Sequence, residues 1–376
     1  MAHATVFLYI IVATPWLLLR FLFDVSLYTL PRQRPDREWS FNQAVRVRAV
    51  RLVLLYWSLL RSGDRLRLTP GREGKRFTTV RPQSLKLYQG PLYDIVIRPE
   101  KLGVTWTPSP PSPAELASQS TTLALHFHGG GFVIGDGRDH DTGYLARTLV
   151  QHMGCTHVCT PQYRLSSHSG GQFPAPLQDA VTAYLHLLRE MRISPRQVIL
   201  SGDSAGGNLV LGLLRYIKDH GQELNIPPPG AVALWSPWVD VSAALHQDMK
   251  LSPNYPTDCL NPEFGRWGAE TIAASGIIDP SGPYLSPLRH PFNLDTNIPM
   301  FVNAGEREVL CDDIEEFSKR FISHGWPLHL LVSKGCPHDI LLLGPKMGFV
   351  REAEEAAADA NAFLRSAAML HLPTPR

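Results

Sequence analysis

Short apolar runs and longer amphipathic stretches take turns along most of this chain. Runs at 93–98, 122–128, 157–163, 197–201, 231–235, 300–304 and 327–332 read as strands buried on both faces. Between several of them, 180–191, 205–219, 312–323 and 351–369 have helical length and carry apolar residues at helical spacing. Strand and helix in alternation predict a mostly parallel central sheet with helices on both faces, an α/β fold. The proline-dense stretch 107–113 excludes regular structure and reads as a surface loop. Residues 240–278 hold several Pro and Gly and no clear strand, so they read as an insertion.

The first residues carry a different pattern. The run 4–19 is broken only by Thr5, Thr14 and Pro15, and Arg20 and Phe21-Leu22-Phe23 follow it. At the helical rise it reaches about 24 Å, short of a ~30 Å hydrocarbon core unless Arg20 snorkels and Phe21 to Phe23 join in. No Lys or Arg precedes the run and no small-x-small site closes it, so an uncleaved anchor is expected over a signal peptide. The alternative is an apolar helix folded onto the rest of the chain. Arg20, Arg32, Arg34, Arg37, Arg46, Arg48 and Arg51 all follow the run, which would place the following domain on the cytosolic side of a membrane. No Asn-x-Ser/Thr sequon occurs, in agreement with that side. A membrane-associated protein is therefore expected, with a cytoplasmic one as the alternative. Residues 41–66 mix arginines with Val, Leu, Tyr56 and Trp57 as a basic amphipathic helix does, fit to lie on a membrane or to cap a pocket.

Composition narrows the function. Among 376 residues, 44% are hydrophobic and 19% charged, as in a globular protein. Thirty-six basic against 34 acidic residues leave a net charge of +2, too little for a nucleic-acid partner. Five cysteines are an odd number; Cys155 and Cys159 alternate as in a strand, with no second ligand pair for a metal, and reduced thiols are expected.

The chemistry concentrates in three places. Gly202-Asp203-Ser204-Ala205-Gly206-Gly207 lies between a strand and a helix, the G-x-S-x-G turn that forces a nucleophilic serine, Ser204, out toward substrate. His128-Gly129-Gly130-Gly131-Phe132 follows an earlier strand. Its glycines let backbone amides approach a developing alkoxide, and the expected oxyanion donors are Gly129 and Gly130 with Ala205 at the helix N-terminus. No G-K-[ST] follows to make a phosphate loop of it. Of fifteen histidines, His338 lies beyond the last strand, after Ser204 and after an acidic segment, where a general base belongs. For the acid, Glu306, Glu308, Asp312 and Asp313 cluster after the run 300–304. The two aspartates suit the first turn of the next helix, which leaves the two glutamates.

These pieces together resemble the hormone-sensitive-lipase-like family of α/β-hydrolases, which includes bacterial and fungal esterases, arylacetamide deacetylase and steryl acetyl hydrolase. Besides HGGGF and GDSAGG, the likeness is carried by Tyr163-Arg164-Leu165, by the segments beginning at Phe173 and Ser236, and by Tyr284-Leu285-Ser286-Pro287-Leu288. Two departures stand out. Ser-Ser-His-Ser-Gly-Gly follows Leu165 where the family has Ala-Pro-Glu-His-Pro, and Glu308 begins the motif Glu308-Val309-Leu310-Cys311-Asp312 where the family has an aspartate. The resemblance implies that Glu308 is the triad acid. It further implies a helical cap from 41–66 and 240–278, forming an apolar acyl pocket. The expected organisation is then an N-terminal segment 1–23, a helical cap or membrane-associated region 24–75, and a catalytic α/β-hydrolase domain 76–376 with its insertion at 240–278. A serine ester hydrolase with no cofactor and no metal, acting on a small or lipid-like ester, is the expected function. An acyltransferase on a hydrophobic metabolite is the alternative, and a non-catalytic receptor is disfavoured because candidates for all three triad members are retained. Oligomeric state has no signature in the sequence.

Overall fold

Among the described residues eight strands pair into one sheet: β1 (Phe77–Val80), β2 (Leu102–Thr107), β3 (Leu123–Phe127), β4 (His157–Gln162), β5 (Val198–Asp203), β6 (Ala231–Trp235), β7 (Met300–Gly305) and β8 (Leu328–Ser333). The computed structural model describes residues 2–61, 66–117, 121–294 and 297–369, without the side chains of 2–10, 12, 368 and 369. Strand order is β1-β2-β4-β3-β5-β6-β7-β8, with β2 antiparallel to both its neighbours and the remaining pairs parallel.

Helices bridge the parallel strands. Before the sheet come α1 (Ala2–Tyr28) and α2 (Phe41–Leu60); α3 (Pro113–Ala117) is a short turn; α4 (Asp139–Gln151), α5 (Ala175–Leu185) and α6 (Ala205–Leu224) follow β3, β4 and β5. The insertion after β6 contains α7 (Ala243–His246) and α8 (Pro262–Ile272); α9 (Cys311–Ser323) follows β7, and α10 (Ile340–Met347) and α11 (Val350–Met369) close the chain. Side chains alternate across each strand, so the core has two halves. Leu200, Leu234 and Val302 join Val181, Leu213 and Phe317 on one face, and Ile199, Ala233 and Phe301 join Leu145, Ala357 and Ile340 on the other.

Six of the seven apolar runs become β3 to β8, and the seventh does not become a strand. At 93–98 the Asp94 carboxylate accepts the N–H groups of Val96 and Ile97, folding the run into a local turn that leaves Val96 81% exposed. Two strands that the apolar runs do not mark, β1 and β2, form that edge of the sheet instead.

At the N-terminus the spanning expectation is not supported: among the described residues no helix is long and apolar enough to cross a membrane. Positions 4–10 and 12 of the apolar run lie outside the residues whose side chains are described. Downstream, Asp24 is buried and pairs with Arg20 (3.1 Å) and with Arg48 of α2 (2.7 Å), so charge interrupts the run where α1 docks on α2. The helix α2 begins at a capping box of Ser40 and Gln43, and positions 62–65 of its expected extension lie outside the described residues. It packs against α8 and α10. All five cysteines are free and buried.

Candidate active site

Parallel registry aligns the C-terminal ends of the strands that carry the predicted residues. Asp203 sits beside Trp235, Trp235 beside Asn303, and Gly305 beside Ser333, so the loops after β5, β7 and β8 meet at one edge. Ser204 occupies the turn from β5 to α6 with φ 50° and ψ −117°, a conformation that L-residues avoid. Two backbone bonds hold it there: the Ser204 N–H donates to Trp235 O and the Trp238 N–H donates to Ser204 O, both at 2.9 Å. A Cβ on Gly206 would strike the carbonyl of Phe127, and one on Gly202 the carbonyl of Gly206, so the turn can be this tight only with glycine at both places.

Three of the expected residues come together in a line. His338 Nε2 lies 3.0 Å from Ser204 Oγ, and its Nδ1 lies 2.7 Å from Glu308 Oε2. A carboxylate can only accept, so in the neutral ring Nδ1 carries the proton and Nε2 is left to accept from the serine hydroxyl. The second oxygen of Glu308 accepts the Gly305 N–H at 3.0 Å, which fixes the carboxylate against the end of β7. All three side chains are buried, and Ser204 retains 8% exposure toward a cavity. Burial alone would push the imidazole down. The hydrogen bond and charge of Glu308, followed by the charge of Asp258, outweigh burial and hold His338 up at about 9.

Glu306 turns elsewhere. Its carboxylate accepts the Gly335 N–H at 2.8 Å and lies 3.7 Å from Arg307. Asp312 and Asp313 stand in the first turn of α9 and line the cavity. Burial, with the charges of Asp240 and Asp312, pushes the Asp313 carboxyl up to about 6.

The expected oxyanion hole needs one correction. The Gly129 N–H is already committed, donating at 2.7 Å to Asp203 Oδ2, and cannot also meet a substrate oxygen. Gly130 (φ 102°) and Gly131 (φ 61°) both have left-handed backbone, and Gly131 lines the cavity beside Ser204. Among the described residues nothing accepts the amides of Gly130 and Gly131, and the Ala205 amide is the first of α6, where helical N–H groups have no partner within the helix. His128 is not placed to act as a base: it stacks on Tyr163 with ring centroids 4.4 Å apart, lies 2.7 Å from the Gly129 carbonyl through Nδ1, and burial pushes it down to about 4.

Asp203, the unassigned residue of the serine motif, is the hub behind this loop. Besides Gly129 it meets His126 Nε2 at 2.8 Å, and His126 in turn meets Ser201 Oγ at 2.9 Å. Burial pushes His126 down to about 3, so the ring is neutral and its Nε2–H donates to the Asp203 carboxylate without forming an ion pair. Asp339 bonds to Asp203 as well, and burial together with the Asp203 charge holds Asp339 well above the carboxylate range, so it carries the shared proton. The only sequence signal for this pair is adjacency, Asp203 preceding Ser204 and Asp339 following His338.

The cavity over Ser204 holds about 560 Å3 and is roofed by the insertion after β6. Trp238, Met249, Leu260, Phe264 and Leu310 give it apolar walls, and Asp240, Asp248, Asp312 and Asp313 are its acidic members.

Comparison with known proteins agrees with this geometry. Residues 124–342 match the family described by the α/β-hydrolase fold. An acetyl-hydrolase of Streptomyces hygroscopicus is 32% identical over 56% of this chain and 66% of its own length. An esterase of Acinetobacter venetianus is 26% identical over 66% of this chain and 76% of its own. Among solved structures, a mutant of the esterase E40 is 27% identical, with a TM-score of 0.57 over 83% of this chain and 89% of that one. An esterase of the bacterial hormone-sensitive lipase family, 24% identical, shares the fold with a TM-score of 0.58 over 92% of this chain and 98% of that one. The chain belongs to the α/β-hydrolase fold family, and curated relatives that it matches bear the names of an acetyl-hydrolase and an esterase.

Proposed function

We propose that Ser204, His338 and Glu308 form the catalytic triad of a carboxylic ester hydrolase acting on small or lipophilic esters. The observation that carries this is the unbroken line from Glu308 Oε2 through the His338 imidazole to Ser204 Oγ, at 2.7 and 3.0 Å. Ser204 Oγ attacks the ester carbonyl while its proton passes to His338 Nε2, and Glu308 steadies the resulting imidazolium. The amides of Gly130, Gly131 and Ala205 receive the oxyanion. Collapse expels the alcohol, which takes the proton from His338, and leaves an acyl-serine. Water, deprotonated by His338, then releases the acid and restores the serine. No step requires a metal or cofactor. The apolar cavity walls favour an acyl or alcohol group with little charge.

Activity measured on p-nitrophenyl esters of graded chain length, with fluorophosphonate labelling alongside, tests the reading. Ser204→Ala should lose labelling and lower kcat on the order of 10³-fold or more while its circular dichroism is unchanged. Retention of a tenth of the activity would remove Ser204 from the chemistry. Labelling of the wild type without turnover of any ester would favour transfer of the acyl group to an acceptor other than water.

The same reading assigns 76–376 to the catalytic domain and 24–75, with the 240–278 insertion, to its cap. The α1–α2 pair is assigned to a lipid surface, lying along it instead of spanning it. Trp16, Leu19, Leu22 and Phe23 of α1 and Leu60 of α2 are each at least half exposed, and Arg20 lies among them, the composition of an interfacial helix.

A further inference from the structure

The insertion after β6 is tied to the triad by more than its place over the cavity. Asn254 Nδ2 donates to the carbonyls of Glu306 and Glu308, both at 3.0 Å, and Thr257 Oγ1 donates to the carbonyl of Arg307 at 3.0 Å. Next to them Asp258, 1% exposed, accepts the Val309 N–H on Oδ2 at 2.6 Å. Its Oδ1 takes the Cys259 N–H at 2.6 Å and faces the His338 N–H at 3.4 Å. One carboxylate therefore touches the residue after Glu308 and the backbone of His338 itself. From outside, Arg51 of α2 clasps this segment, donating to the carbonyls of Tyr255 (2.5 Å) and Asp258 (3.3 Å) with its guanidinium 3.8 Å above the Tyr255 ring.

Asp258 makes no ion pair among the described residues; its bonds come from backbone amides and from the Cys259 thiol. A buried carboxylate held only by dipoles is costly unless a cation arises nearby. The group that becomes a cation during catalysis is His338.

We propose that Asp258, supplied by the cap segment, is a positioning residue of the triad: it holds the Glu308 and His338 loops in register through their amides and adds a second negative charge behind the His338 imidazolium formed as Ser204 attacks. The inference rests on the Ser204–His338–Glu308 reading. The other charged or titratable groups facing His338 are Glu308 from the loop after β7, Asp339 from its own loop and Asp203 at the end of β5, with Arg51 meeting Asp258 only through carbonyl groups. Asp258 follows Glu308 among the influences that raise His338. Glu308 supplies the direct bond, and Asp258 supplies field and alignment.

The test uses full-length enzyme and p-nitrophenyl butyrate, with kcat and KM followed from about pH 6 to about pH 10. Asp258→Asn should lower kcat about tenfold or more, leave KM within about twofold, and move the rising limb of kcat/KM to lower pH, because removing a negative charge makes the imidazolium easier to deprotonate. A packing role alone would not move that limb. In the Glu308→Gln background the same substitution should cost more than it does in the wild type, since Asp258 is then the main remaining charge behind the imidazolium. Should Asp258→Asn fail to fold, Asp258→Glu decides: it keeps the charge and displaces the amide contacts, so kcat falls while the limb stays, and an unchanged kcat overturns the proposal. Ser204→Ala, run in parallel, separates the two readings. If it is inactive while Asp258→Asn keeps wild-type kcat and limb, the Asp258 proposal fails alone; if it is active, the triad reading fails first.

Discussion

Glu308 differs from the expected aspartate by one methylene, and its neighbours use the extra length. One oxygen returns to the Gly305 N–H at the end of its own strand while the other reaches His338, so the longer arm is anchored at both ends. Glu306, two residues earlier, spends its carboxylate on the Gly335 turn instead. Glu308→Gln should therefore lower kcat roughly 10²-fold or more, while Glu306→Gln and Asp312→Asn each cost less than about tenfold, measured with one soluble ester at one pH. The pH profile gives a second check. Protonated His338 cannot take the serine proton, so kcat/KM should rise with pH through a limb near the raised value of about 9, above the ordinary histidine range. Glu308→Gln removes the largest raising influence and should move the limb to lower pH. A limb unmoved by that substitution would mean that another group titrates.

At the scale of elements, the turn between β5 and α6 is the tightest demand the sequence meets. A methyl at Gly206 must displace the end of β3, because the carbonyl of Phe127 occupies its place. Gly206→Ala should destabilise the fold by about 2–3 kcal/mol, read from the urea midpoint, and lower turnover besides. This turn is legible in the sequence because its glycines, its serine and its flanking strand and helix all fall within a few residues of one another. The same locality explains β3 to β8, whose apolar runs need no distant information. It also explains what was misread. At 93–98 a single Asp94 carboxylate outcompetes strand pairing, while Phe77–Val80 becomes a strand only because β2 lies beside it. The commitment of the Gly129 amide is hidden for a similar reason, since its acceptor lies 74 positions away at Asp203. Asp258 had no local motif at all; its meaning comes from two loops about fifty and eighty residues further on.

Across the whole molecule, the N-terminal helices divide into a part that touches the catalytic machinery and a part that does not. Removing 1–23 leaves Asp24 paired with Arg48 and Arg51 on its carbonyls, so kcat for a short soluble ester should stay within about threefold while binding to lipid vesicles is lost. Removing 1–60 also takes Arg51, and kcat should then fall about tenfold or more. Equal activity of the two truncations would show that α2 serves only the surface. The buried thiols offer a view of the same architecture in time. Cys155 lies just before the inner strand β4 and Cys159 within it, Cys259 in the cap, Cys311 at the start of α9 and Cys336 two residues before His338, and none is exposed. A water-soluble disulfide reagent can reach each sulfur only while its surroundings stand open, so the rate at which each site is modified under native conditions is a local clock of opening. Five clocks read together would rank the cap, the triad loops and the inner strand by how often each comes apart, on a timescale no static picture records.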